Sequence, residues 1–213
     1  MKTQTRYVFI GLLVAMSCAL ATSSWADGEA SLQNLLPNPG FEDGQGTYPE
    51  GWSGNFYSKN QNGKITWTDK TAHNGKKSIK MDAFEENVFG QFSTRDYMPV
   101  EAGKHYLVNV WFKEKTRCFQ VQVRWYDAKQ NQILSQSITP DPEDADKWVS
   151  LDEAKLSLYD QGTPVEGKKD KPYELIAPPG SSKAIVFLLL ITPGEVYCDD
   201  VMFAPVDLQK NRK

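Results

Sequence analysis

The sequence predicts an all-β fold, an antiparallel sandwich or barrel, on three observations. Short runs rich in β-branched and aromatic residues recur along the chain, Gly, Pro and Asn turn signals separate them, and no segment sustains an apolar repeat of helical period. Strands this short close into a sandwich or barrel because each has an apolar face to bury.

Taken in order, residues 1–26 read as a signal peptide that is removed. Lys2 and Arg6 give a basic start, residues 7–16 a short apolar run, and Ser24-Trp25-Ala26 a small-residue cleavage site. The run is shorter than the roughly 20 residues that cross a bilayer, so the expected location is secreted, periplasmic or extracellular. Lipid attachment at Cys18 calls for a large aliphatic residue three positions earlier, where Ala15 stands, and is not expected. The longest later apolar run, residues 184–191, is too short to span a membrane.

Residues 27–213 suffice for one domain with a sizeable core. Removal of the leader takes Lys2 and Arg6 with it and leaves 22 basic against 27 acidic residues. No basic footprint for nucleic acid is present.

That domain opens on NLLPNPGFEDGQGTYPEGW, residues 34–52, in which Pro37 and Pro39 fix φ and Gly40 permits a turn. Strands are then expected at 64–69 (KITWTD), 77–82 (KSIKMD), 88–94 (VFGQFST), 105–113 (HYLVNVWFK), 119–127 (FQVQVRWYD), 148–151, 173–177, 184–192 (AIVFLLLIT) and 195–203 (EVYCDDVMF). In the fourth, Tyr106, Val108, Val110 and Phe112 share the core face and Leu107, Asn109, Trp111 and Lys113 the other. In the fifth, Phe119, Val121, Val123 and Trp125 turn inward, leaving Gln120, Gln122, Arg124 and Tyr126 outside. If these strands are neighbours in one sheet, their outer face carries amides, a guanidinium and large aromatics. Periodicity does not separate such a ligand face from a solvated one with Trp111 under a loop. Residues 134–171, rich in Asp, Pro and Lys, read as a long loop insertion with a short helix near 152–159.

Cys118 and Cys198 remain after the leader, and in an oxidising compartment they form either a disulfide or two buried thiols. With His73 and His105 they lack the spacing of a zinc site. There is no nucleophile elbow, metalloprotease helix or phosphate-binding loop. Asp199 and Asp200 are adjacent and must point to opposite faces of a strand. An enzyme is therefore the less economical reading.

Six pieces carry a resemblance over most of the chain. They are Asn34 to Glu42 with Pro49-Glu50-Gly51-Trp52; His73-Asn74-Gly75-Lys76-Lys77-Ser78-Ile79-Lys80; Val100 to Tyr106 leading into Asn109-Val110-Trp111-Phe112-Lys113; Trp125-Tyr126-Asp127; Ala177-Pro178-Pro179-Gly180; and Val196-Tyr197-Cys198-Asp199-Asp200-Val201. In this order they resemble carbohydrate-binding modules of the family four and nine type, found on bacterial cellulases and xylanases, whose fold is a galactose-binding-like jelly roll.

The resemblance implies a structural calcium held by Glu42, by Asp199 and by backbone carbonyls of the Gly75 to Lys77 turn, a donor set that suits a hard cation. It implies a poly- or oligosaccharide on the sheet face, with Trp111 as stacking platform and Asn109, Gln122, Arg124, Tyr126 and Gln91 as polar contacts. Trp52 and Trp67 are expected in the core. With no catalytic domain attached, such a module would capture sugar itself or tether a noncovalent enzyme or envelope protein. The competing readings are an envelope interaction or structural protein and a jelly-roll hydrolase or lyase.

Overall fold

The computed structural model describes residues 32–57, 63–86, 89–141, 146–165 and 173–206. The expected signal peptide and Cys18 lie outside them. Among the described residues no helix is long and apolar enough to cross a membrane.

Among the described residues fourteen strands follow one another: β1 Trp52–Tyr57, β2 Gly63–Thr68, β3 Ser78–Ala83, β4 Phe89–Thr94, β5 Met98–Pro99, β6 His105–Glu114, β7 Phe119–Tyr126, β8 Gln132–Asp141, β9 Val149–Ser150, β10 Lys155–Asp160, β11 Thr163–Pro164, β12 Glu174–Ile176, β13 Lys183–Leu190 and β14 Gly194–Pro205. They form two antiparallel sheets. The larger runs β1-β4-β13-β7-β8-β10-β11, with β5 beside β13; the smaller runs β12-β6-β14-β3-β2, with β9 beside β6.

The core lies between them. Trp52, Phe92, Val121, Val123, Trp125, Val186 and Leu188 from the larger sheet meet Ile79, Met81, Val108, Val110, Phe112, Val196 and Phe203 from the smaller. Both expected inward sets are buried, because a period of two puts alternate residues on one face.

The opening stretch builds the end of this core. Asn38 and Phe41 take positive φ, and the resulting turn drives Phe41 edge-on against Trp52 and Phe92, which stack at 5.3 Å between centroids. The indole N–H of Trp52 donates to the Pro37 carbonyl and that of Trp67 to the Phe41 carbonyl. Trp52 is fully buried; Trp67 is half-buried under the Lys77 ammonium. Asn34 ties the segment to β14, donating to the Val201 carbonyl and accepting from the Phe203 N–H.

Two expectations are corrected and one open alternative is decided. First, β6 and β7 are not neighbours: β7 pairs with β8 and β13 in the larger sheet, and β6 with β12, β14 and β9 in the smaller. Their outward faces are opposite surfaces of the sandwich.

Second, the described part of 134–171, residues 134–141 and 146–165, is not a loop insertion. β8 and β10 extend the larger sheet there, and residues 155–160 form a strand where a short helix was expected. The outward positions of β8 are Ser135, Ser137 and Thr139, hydroxyls in place of an apolar stripe, so hydropathy alone misses the strand.

Of the two states left open for Cys118 and Cys198, the structure has buried free thiols. Each has another environment: Cys118 Sγ donates to Glu114 Oε2, and Cys198 is sealed in the core.

Candidate functional site

The outer face of the larger sheet is assembled by strand register. One row runs Ser53, Ser93, Phe187, Gln122, Ser137, Tyr159 across β1, β4, β13, β7, β8 and β10. The next runs Asn55, Gln91, Leu189, Gln120, Thr139, Ser157. At a strand spacing of about 4.8 Å, six strands span about 24 Å.

Several of these side chains are sunk below the surface although they face away from the core. Phe187 is 4% exposed, Leu189 1%, Ser93 7%, Ser137 5% and Thr139 5%. They make a floor that is apolar in the middle and hydroxylic at its sides. Amides stand over it: Gln120 Nε2 donates to Thr139 Oγ1 and Gln122 Nε2 to Ser137 Oγ, each at 2.9 Å. Gln122 Oε1 accepts from Arg124 Nε, and the Arg124 guanidinium lies over the Phe187 ring at 4.0 Å from its centroid.

Aromatic rings flank the rows. Tyr57, 57% exposed, lies opposite Phe89 with ring centroids 6.2 Å apart. Tyr126 meets Tyr97 edge-on at 5.0 Å, and burial pushes the Tyr126 phenol up from its ordinary range.

Four expected contacts, Gln91, Gln122, Arg124 and Tyr126, therefore share one face. Trp111 and Asn109 stand on the opposite surface, in the smaller sheet. There the His73 imidazole stacks on Trp111 at 3.8 Å between centroids, and Trp148 comes edge-on to His73. Asn109 is engaged in fixing the 150–152 turn: it donates to Asp152 Oδ1 and accepts from the Leu151 N–H. A cavity of about 250 Å³ opens on that side among Lys70, Lys113, Lys115, Glu114, Asp146 and Glu195. Its three lysines and three acids compensate one another and offer no apolar floor, so it is a weaker candidate than the larger-sheet face.

Sequence reasoning missed Phe187, Tyr57, Asn55 and the hydroxyls of β8. Their common signal is cross-strand register, which a linear pattern does not contain.

The expected calcium ligands gather around one turn. Glu42 Oε1 accepts from the N–H groups of Lys76 and Lys77, and Asp199 Oδ2 from those of His73 and Asn74. A Cβ at Gly75, which has φ +66°, would strike the Glu42 carboxylate. Asp199 is fully buried, among the described residues no cationic side chain lies within ion-pair distance of it, and burial pushes its pKa up to about 6. Among the described residues no three His, Cys, Asp or Glu side chains group as metal ligands. Side chains thus supply two carboxylates, and backbone oxygens would have to complete a shell. That all-oxygen set, with a buried acid short of a positive partner, fits a hard cation.

A second buried acid is Glu114, 2% exposed, at the end of β6. Its Oε2 accepts from Cys118 N, Cys118 Sγ and Phe119 N, whereas Oε1 has no partner. Burial pushes its pKa up to about 7 and that of the Cys118 thiol up to about 12.

At the level of sequence, no family model and no curated protein matches the chain. Solved structures do. The enzymatically active domain of bacteriophage CBA120 tailspike protein 4 superposes on 81% of the chain, with a TM-score of 0.57 at 13% identity. The chain is a jelly-roll β-sandwich. It spans 21% of the tailspike chain. The CBM22-1 xylan-binding domain of Paenibacillus barcinonensis Xyn10C is matched over 83% of this chain and 96% of its own, with a TM-score of 0.48 at 14% identity. TmCBM61, solved with β-1,4-galactotriose, is matched over 82% and 99%, with a TM-score of 0.45 at 17% identity.

Proposed function

We propose that this protein binds a polysaccharide or oligosaccharide, without catalysis, across the outer face of its larger sheet. The observation that carries the reading is the pair of in-register rows of amides and hydroxyls over the Phe187 and Leu189 floor. A pyranose has hydroxyls at its edge and C–H groups on its faces. The Gln120 amide, fixed by Thr139, keeps its oxygen acceptor for the former, and Tyr57 and Phe89 offer rings to the latter. Pre-fixed amides reduce the side-chain entropy lost on binding. Neither row contains a carboxylate, whereas glycoside hydrolysis uses two flanking the bond, which favours binding over cleavage on this face.

In this reading the protein is secreted, and a calcium ion bound through Glu42 and Asp199 clamps the opening turn to β14. The ion's contribution is to neutralise the buried Asp199, on the far side of the sandwich from the sugar.

The test is binding of the folded protein to a panel of soluble and insoluble glycans, by calorimetry and affinity electrophoresis. Saturable binding that Gln122→Ala together with Tyr57→Ala weakens supports the reading. A folded protein that binds no glycan sinks it.

A further inference from the structure

We infer that the glycan held on this face carries anionic substituents, uronate carboxylates or sulfate esters, and that Arg124 is the group that reads them. The inference rests on the sugar-binding reading and goes beyond it to the ligand's charge.

The argument begins with what Arg124 lacks. Its guanidinium is stacked on Phe187 and anchored through Nε to Gln122, yet no carboxylate pairs with it. The ion pairs among the described residues engage His73, Lys80, Lys104, His105 and Lys115, and no arginine. Acids outnumber bases in the chain, 27 to 24, so partners were available and none is placed here.

Orientation supplies the second step. With Nε committed to Gln122, one π-face on Phe187 and the Tyr126 phenol in hydrogen-bonding range of the guanidinium, the remaining Nη hydrogens are the part of the fork left to a ligand. Two parallel N–H bonds from a pre-organised guanidinium match a carboxylate or a sulfate better than a lone hydroxyl. The ring beneath keeps water off one side, which strengthens the attraction relative to an exposed arginine.

A second cation extends the pattern. Arg117 reaches over the same face, its Nη2 at 3.4 Å from Ser157 Oγ; Glu114 feels its charge, but among the described residues no carboxylate lies within ion-pair distance of it. Arg117 precedes β7 and Arg124 lies near its end, so the two arginines bracket Gln120 and Gln122 in the sequence of that strand.

The experiment compares three oligosaccharides on one backbone, uronate-bearing, carboxyl-reduced and sulfated, at low and high ionic strength. The expected result is about tenfold tighter binding of a charged ligand than of its reduced counterpart, with the gap closing as salt rises. Arg124→Gln should bring the ratio of charged to neutral affinity close to one, and Arg124→Lys should restore part of it. The uronate and sulfate arms distinguish the two sources of charge. Equal affinity of the wild-type protein for charged and reduced ligands overturns the inference while the sugar-binding reading stands. No binding to any arm overturns both. Should Arg124→Gln fail to fold, the wild-type comparison and its salt dependence decide the matter alone.

Discussion

The imidazole of His73 lies flat on the indole of Trp111, with centroids 3.8 Å and planes 8° apart, and its Nδ1 is held at 2.7 Å from Asp200 Oδ2. A ring covered in this way is part of the wall of the smaller sheet. Trp111→Ala should therefore lower stability by about 2 kcal/mol, as a half-buried aromatic does on truncation. Glycan affinity should stay within about twofold of wild type by calorimetry. A large affinity loss with unchanged stability would return Trp111 to the binding site.

Tyr57 occupies the opposite situation, exposed at the rim of the larger sheet beside Phe89. Tyr57→Ala is expected to raise the glycan Kd roughly fivefold, about 1 kcal/mol, with little change in melting temperature. Unchanged Kd for every bound glycan would remove Tyr57 and Phe89 from the platform.

Glu114 makes stability depend on pH in a defined direction. Its pKa is raised from 4.5 to about 7, so the folded state binds this proton more tightly than the unfolded chain does. The stabilisation from protonated Glu114 is full below about pH 4.5, declines as pH rises toward 7 and is absent above, at most of order 3 kcal/mol. Asp199, raised to about 6, acts in the same direction over a lower window. Glu114→Gln keeps an acceptor for Cys118 and Phe119 but has no charge. Urea midpoints at pH 5 and pH 8 should converge in this variant relative to wild type. An equal pH dependence in both would mean that Glu114 is not the group responsible.

Calcium should raise the melting temperature and a chelator lower it. At a hundredfold excess over Kd the gain is about 2.7 kcal/mol, which in a domain of this size is about 5–10 °C. Glu42→Gln should abolish the difference. A melting curve indifferent to chelator would show that the amides of the His73 to Lys77 turn suffice for Glu42 and Asp199.

Cys118 and Cys198 are buried, and their thiol pKa values are raised, that of Cys118 to about 12 and that of Cys198 well above its ordinary range. Both should react with an aromatic disulfide reagent only in denaturant, and a reductant should leave the melting temperature unchanged. Fast labelling of the native protein would contradict their burial.

Strand content and facing were legible in the sequence because a period of two is local: 105–113 and 119–127 show which side chains turn inward, and burial follows that parity. The aromatic knot of the opening stretch was legible in part, since Pro37, Pro39 and Gly40 announce a turn and Trp52 an apolar anchor. β8 and β10 were not, because their inward Leu134, Ile138, Leu156 and Leu158 alternate with hydroxyls and are interrupted by Gln136, which leaves no clear apolar stripe.

Pairing is the other half of the problem, and parity does not contain it. Residues 111 and 122 are eleven apart and both turn outward, but the chain crosses the sandwich between β6 and β7, so they look in opposite directions. The sequence by itself determined that this is an all-β chain with outward amides and aromatics on known positions. Only the tertiary structure decided which of them meet, because hydrogen bonding between strands, not the alternation within each strand, sets Phe187 beneath Arg124 and Ser137 beside Gln122.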